Sequence, residues 1–381
     1  MLLRGLTLLV FLCLVQPCAL ALRPTRKHKK PPTSKAKVTA RAVMPSPQSS
    51  RAKAAVSRWP KAAPVSHYDP TAGDNVDGDD LAVRRAAVEA LGPYNGTVVV
   101  VDPQTGRILT MVNQKTALDS GFTPCSTIKL VTAFAALNER LIERDTPMAL
   151  TRHTSLDLSS AIAHSNNPFF KILGDRLGYE RVVHYARLFG LGEKAGWQIN
   201  GERAGQLPDA PPPHGSVGMM TAYGEGIELT PLQLAALVST IANGGTLYHL
   251  QYPKSQAEID HFVPRVKRQL DIANWIADVK IGMRGAVDFG TAHRAGVDQA
   301  DQILGKTGTC HDSRALNHLG WFGSFNDVAR NQLVVVVLLT GGFKINGPIA
   351  AGVAGSIYKQ LSQQNLSASG RLLSTQICCT R

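Results

Sequence analysis

The feature that most constrains this chain is the placing of its strands, which read at both ends of the folding region with helices between them. After Leu81 the segments GTVVVVD and RILTMV, joined by the tight turn PQTG, read as a hairpin. Toward the other end ILGKTGT, LGWFGSF and QLVVVVLLT read as three further strands. The closing strands are expected to pair with the opening hairpin in one sheet. LAVRRAAVEAL before the hairpin, and the stretch near Pro348 to Leu361 after the last strand, read as helices that cover it. The expected fold class is α+β: an antiparallel sheet flanked by terminal helices, plus a mainly helical lobe.

The lobe comes from the middle of the chain. Helices are expected from Ser126 to about Arg140, around Leu156 to His164, from Pro168 to Leu177 and from Glu180 to Phe189. TPLQLAALVSTIA is another, with Thr230 as N-cap, Pro231 at the first helical position and Asn243, Gly244 and Gly245 as its stop. IANWIADVKIGMRGAV suggests one more, and residues 362–381 read as a frayed tail.

A net charge of +13 suggests a nucleic-acid partner until it is mapped. Thirteen of the 41 Lys and Arg precede Asp69 and no Asp or Glu does, which leaves 28 basic against 28 acidic residues in the remainder. The excess belongs to a tail, so no nucleic acid is expected as a partner. Residues 23–70, rich in Pro, Ala, Ser, Lys and Arg, read as a disordered linker. It is a solvated spacer whose charge also suits an anionic membrane or wall surface. In residues 1–22, Arg4 precedes the apolar run GLTLLVFLCLV and Ala19, Leu20, Ala21 follow, which fits a secretory signal peptide or, uncleaved, a signal anchor. The chain is therefore expected to be exported, to the periplasm or the extracytoplasmic face of the inner membrane. Of six cysteines, Cys13 and Cys18 lie in the leader, whereas Cys125, Cys310, Cys378 and Cys379 lie beyond it, where export permits disulfides.

Three short strings carry chemistry. Ser126 and Lys129, in PCSTIKL, stand one helical turn apart, a hydroxyl beside an amine. Serine needs a neighbour to take its proton at neutral pH, and a partly buried lysine can do so. Ser165 and Asn167, in SNN, offer a hydroxyl and an amide from a turn between helices, and Lys306, Thr307, Gly308 and Thr309 lie on a strand. Each string alone is commonplace; their joint order, each in its expected helix, turn or strand, is not. No Cys or His spacing forms a zinc site, and neither metal nor cofactor is expected.

In these strings, and in VVVVDPQTGRILTMVN, FTPCSTIKLVTAFAAL, SNNPFFKILGDRLG, YGEGIELTPLQLAALVSTIANGG, GMRGAV and LGKTGTC…GWFGSF, the chain resembles the transpeptidase domain of penicillin-binding proteins from about Leu81 to Leu361. The resemblance implies that residues 71–361 form a serine acyltransferase domain. Its substrates would be the D-Ala-D-Ala ends of peptidoglycan stem peptides, with β-lactams as covalent inhibitors. Position by position it implies Ser126 as nucleophile, Lys129 as its base and Ser165, near Lys306, as the relay to the leaving amine. The N–H groups of Ser126 and Thr309 would form the oxyanion hole. Asn167 would hold the substrate's amide. Thr307, Gly308 and Thr309 would form the substrate-binding strand, two hydroxyls and the charge of Lys306 meeting the terminal carboxylate.

Cys125 stands where this family usually has Gly, and Glu225 where Gln is common. Neither the large non-catalytic N-terminal domain nor a glycosyltransferase region is expected. Transpeptidase, carboxypeptidase and β-lactamase differ in what resolves the acyl-enzyme, and all three stay open. Asn167 favours the penicillin-binding group over class D β-lactamases, which have an apolar residue there. A non-catalytic β-lactam sensor or a wall-associated scaffold is the remaining alternative. If the two oxyanion donors meet at one oxygen, Cys125 and Cys310 come within reach of each other. Some class A carbapenem-hydrolysing β-lactamases bridge these positions, so the resemblance implies a disulfide.

Overall fold

The computed structural model describes residues 69–119, 121–212, 216–296, 302–312, 317–327, 332–342 and 344–378. The leader and all of the linker up to residue 68 lie outside them. Helix α1 (Leu81–Leu91) leads into the hairpin of β1 (Gly96–Asp102) and β2 (Arg107–Val112), and a short α2 (Gln114–Asp119) follows. A 3-10 turn (Cys125–Ile128) opens the next region, with α3 (Lys129–Asn138), β3 (Met148–Ala149), β4 (Ser155–Leu156), α4 (Leu158–Ala163), α5 (Asn167–Leu177), α6 (Tyr179–Leu188), α7 (Val217–Tyr223) and α8 (Pro231–Ala242). Then come β5 (Thr246–His249), α9 (Gln256–Asp260), β6 (Arg265–Gln269), α10 (Ala273–Asp288), β7 (Ile303–His311), β8 (His318–Asn326), β9 (Val334–Gly341) and α11 (Gly347–Cys378).

The five long strands form one antiparallel sheet in the order β2-β1-β9-β8-β7. Its centre explains the two valine runs: Val98 to Val101 pair with Val337 back to Val334, and all eight are fully buried. Because successive strand residues face opposite sides, Val98, Val100, Val335 and Val337 pack with α1 and α11. Val99, Val101, Val334 and Val336 pack with the helical lobe. A strand covered on both faces needs no polar alternation, which is why the runs are continuous.

Side-chain caps fix the starts of α1 and α8. Asp80 accepts the N–H groups of Ala82 and Val83 at the start of α1, and Thr230 and Gln233 close a capping box at α8 with Pro231 in the first turn. Helix α8 is buried along its whole length and lies on β1, β8 and β9, so it backs the face of the sheet that turns toward the lobe.

The α+β architecture agrees with the expectation; several local features differ. Ser126 sits in a 3-10 turn rather than in the α-helix proper, and Asn167 is the first residue of α5 rather than a loop residue. The strand pairs β3–β4 and β5–β6 were not foreseen. The backbone of α11 continues to Cys378 instead of ending near Leu361. No proline interrupts that stretch, and its Leu, Gln, Ala and Arg residues favour helix. Among the described residues no helix is long and apolar enough to cross a membrane.

Candidate active site

The three strings converge although nearly two hundred residues separate their ends. Residues i and i+3 eclipse in a 3-10 turn, and this brings Lys129 onto Ser126: Lys129 Nζ donates to Ser126 Oγ at 2.8 Å. The ammonium also donates to Ser165 O at 3.0 Å, to Ser165 Oγ at 3.2 Å and to Asn167 Oδ1. Behind it lies the ring of Phe170, 5.6 Å from Nζ to the centroid.

Ser165 is held in a left-handed conformation, φ 54°, between α4 and α5. Its N–H bonds Ile162 O, and Asn166 caps α5 by accepting from the Phe169 N–H. This strained turn aims the hydroxyl between two lysines. Lys306, on the edge strand β7, donates to Ser165 Oγ at 2.8 Å and to Thr307 O at 3.0 Å. Ser126, Lys129, Ser165 and Lys306 thus form one hydrogen-bonded chain, with Asn167 attached to it.

Both lysine side chains are fully buried, and neither has a carboxylate among its hydrogen-bond partners. Burial lowers Lys129 to about 7. Burial also pushes Lys306 well below the ordinary lysine range, and the charge of Lys129 pushes it the same way. Burial thus disfavours carrying a positive charge on both amines at once.

Cys125 and Cys310 are joined by a disulfide, with Cα atoms 5.5 Å apart. It ties the residue before Ser126 to the residue after Thr309. Cys125 has φ 51°, a conformation uncommon for anything but glycine. The two backbones run so close that a Cβ on Gly308 would lie 3.0 Å from Pro124 O and 3.2 Å from Cys125 Cβ. Trp321 on β8 completes the clamp by donating to Thr123 O at 2.9 Å.

The remaining predicted residues lie on β7. Thr309 is exposed, and its hydroxyl accepts the N–H of Gly347 from the start of α11. Thr307 is buried, and its hydroxyl meets that of Thr291 at 2.6 Å. Sequence reasoning passed over Thr291, Phe170 and Gly347. Their positions show only in three dimensions, since each meets a motif residue across an intervening element. Among the described residues no group of His, Cys, Asp and Glu is placed to hold a metal ion.

Several known proteins are similar to this chain. Stage V sporulation protein D of Bacillus subtilis is 28% identical over 313 residues, 71% of this chain and 48% of that protein. The peptidoglycan D,D-transpeptidase MrdA of Haemophilus influenzae is 25% identical over 72% of this chain and 54% of its own length. The chain thus spans about half the length of these curated relatives. The solved transpeptidase domain of Burkholderia pseudomallei penicillin-binding protein 3 superposes with a TM-score of 0.63 at 20% identity, covering 78% of this chain and 96% of that one. The sequence profile of the penicillin binding protein transpeptidase domain matches residues 96–361, from the first strand of the sheet into its last covering helix. By that match, which takes in all three strings of the site, the chain belongs to the penicillin-binding protein transpeptidase domain family.

Proposed function

We propose that the protein is a serine D,D-acyltransferase that acts on the D-Ala-D-Ala ends of peptidoglycan stem peptides and is acylated by β-lactams. The observation that carries this reading is the 2.8 Å contact between Ser126 Oγ and a fully buried Lys129 held at about 7. A lysine at its ordinary value is almost wholly protonated at neutral pH and cannot take a proton; this one is about half neutral.

The reaction follows from the contacts. Neutral Lys129 accepts the Ser126 proton as Oγ bonds to the carbonyl carbon of the penultimate residue. The negative charge that develops on the carbonyl oxygen falls to the N–H groups of Ser126 and Thr309, whose backbones the disulfide holds together. Collapse breaks the C–N bond. The proton passes from Lys129 through Ser165 Oγ, which touches both lysines, to the departing amine. Ser126 is left as an ester. An amine of a second stem peptide resolves it in transpeptidation, water in hydrolysis. Lys306 and the Thr307 and Thr309 hydroxyls meet the terminal carboxylate, and the amide of Asn167 lies beside the acyl chain.

Export fits this substrate and the Cys125–Cys310 disulfide, which persists in an oxidising compartment. The basic segment 23–61 would hold the domain near an anionic membrane or wall surface by charge. The test is intact-protein mass followed over time after penicillin is added. A stable one-to-one adduct on Ser126 supports the reading; no adduct at any time overturns it. Rapid loss of the adduct identifies water as the efficient acceptor and a β-lactamase as the better description.

A further inference from the structure

We infer that Thr291 is a positioning residue for carboxylate recognition: its hydroxyl fixes the direction in which Thr307 donates. The inference rests on the acyltransferase reading above and adds to it a residue outside the three strings.

The two hydroxyl oxygens are 2.6 Å apart, and either can be the donor. Each hydroxyl carries a single proton. If Thr307 donates to Thr291, it has none left for an incoming carboxylate. If Thr291 donates to Thr307, the Thr307 proton points onward, and a chain of two hydrogen bonds ends on the substrate. Such chains strengthen along their length. The arrangement that binds an anion is thus the one in which Thr291 donates, and a bound anion selects it.

Its backbone is placed for this role. The Thr291 N–H donates to Ala163 O at 3.1 Å, and Ala163 ends α4 just before the Ser165 turn. A Cβ on Gly290 would lie 2.2 Å from the same carbonyl oxygen, so only glycine lets the segment approach so closely. The next residue closes the other side, with the Ala292 N–H on Ala286 O of α10 at 2.7 Å. Thr291 thus spans from the serine–asparagine turn to the lysine–threonine strand, and through it the two strings keep a common distance.

The test compares benzylpenicillin with its methyl ester, which keeps the reacting carbonyl but not the negative charge. In Thr291→Val, which preserves shape and removes the hydroxyl, acylation by the acid should slow about five- to tenfold, the worth of one net hydrogen bond. Acylation by the ester should change less than twofold, and Thr291→Ser should restore the acid rate. Thr291→Ala gives the same comparison if the valine is poorly accommodated, with melting temperature as the control for folding. Equal losses on acid and ester, or a serine variant as slow as the valine, would overturn the inference. Failure of the unmodified protein to label at all refutes instead the acyltransferase reading, so the two outcomes are distinct.

Discussion

A carboxylate placed beside Lys129 should silence acylation at neutral pH and return it as the pH is raised. Burial holds Lys129 at about 7 against an ordinary 10.5. Its neutral form should then be about 1% of the protein at about pH 5 and about 90% at about pH 8. Acylation of the wild-type protein accordingly rises about tenfold per pH unit below 7 and levels off above 8. In Asn167→Asp, the oxygen that now accepts from Lys129 becomes part of a carboxylate. An opposite charge at this range stabilises the ammonium by about 1–3 pKa units. The sign is upward, so the neutral fraction at pH 7 falls from about one half to between about 9% and about 0.1%, and acylation slows about five- to 500-fold. The rate climbs again at higher pH. Asn167→Ala separates charge from lost contact: it removes the amide without adding a carboxylate, and its profile should not move upward. The assay is the rate of adduct formation by intact mass with benzylpenicillin, whose carboxylate is ionised throughout. An Asp variant with the wild-type midpoint, or a wild-type rate still climbing at pH 9, would refute the reasoning.

The same shift bears on folding. The folded protein holds Lys129 below its unfolded value, so the unfolded chain binds more protons between about 7 and 10.5. Burying Lys129 therefore costs stability increasingly as pH falls through that window, and no more below it.

Ser126→Ala should show no penicillin adduct while melting close to the wild-type temperature, because the hydroxyl is small and half-buried; labelling at the wild-type rate would remove Ser126 from the mechanism. A protein that starts at Asp69 should lose adsorption to anionic vesicles or wall fragments that the full chain shows at low salt. Adsorption of the full chain should itself weaken between about 0.1 M and 1 M salt as screening shortens from about 10 Å to about 3 Å. Equal binding by the truncated protein would show that the linker charge is idle.

Much of this molecule is legible in one dimension because its strongest signals are local. The valine runs declare doubly covered strands, and Thr230 and Pro231 mark the start of α8, where Thr230 exchanges hydrogen bonds with Gln233. The β5–β6 pair hides because RVKRQ is charged and half-exposed, without the apolar alternation that marks a strand. The 3-10 turn at Ser126 differs from an α-helix by one residue in its hydrogen bonding, and the Cys125–Cys310 bridge closes it onto β7. Thr291 is a lone hydroxyl after a glycine. Only the approach to Ala163 and Thr307 gives it meaning.

That closure on β7 raises a question about Cys125, which adopts φ 51°, where the resemblance leads one to expect glycine. A side chain in this conformation costs about 1–2 kcal/mol relative to glycine. The disulfide closes a loop across a sequence separation of 185, and a bridge of this kind contributes about 2–4 kcal/mol. The bond therefore outweighs the strain, and the cysteine stabilises a turn that glycine would adopt freely. Two double variants divide these effects. Cys125→Gly with Cys310→Ala removes bond and strain together, so it should melt lower yet acylate at nearly the wild-type rate at 25 °C. Cys125→Ala with Cys310→Ala keeps the strain and loses the bond. Its turn is free to relax toward negative φ, which swings the Ser126 N–H away from that of Thr309, and acylation should fall along with the melting temperature. Equal acylation rates in the two variants would show that the backbone at residue 125 does not depend on the bridge, and that the disulfide serves stability alone.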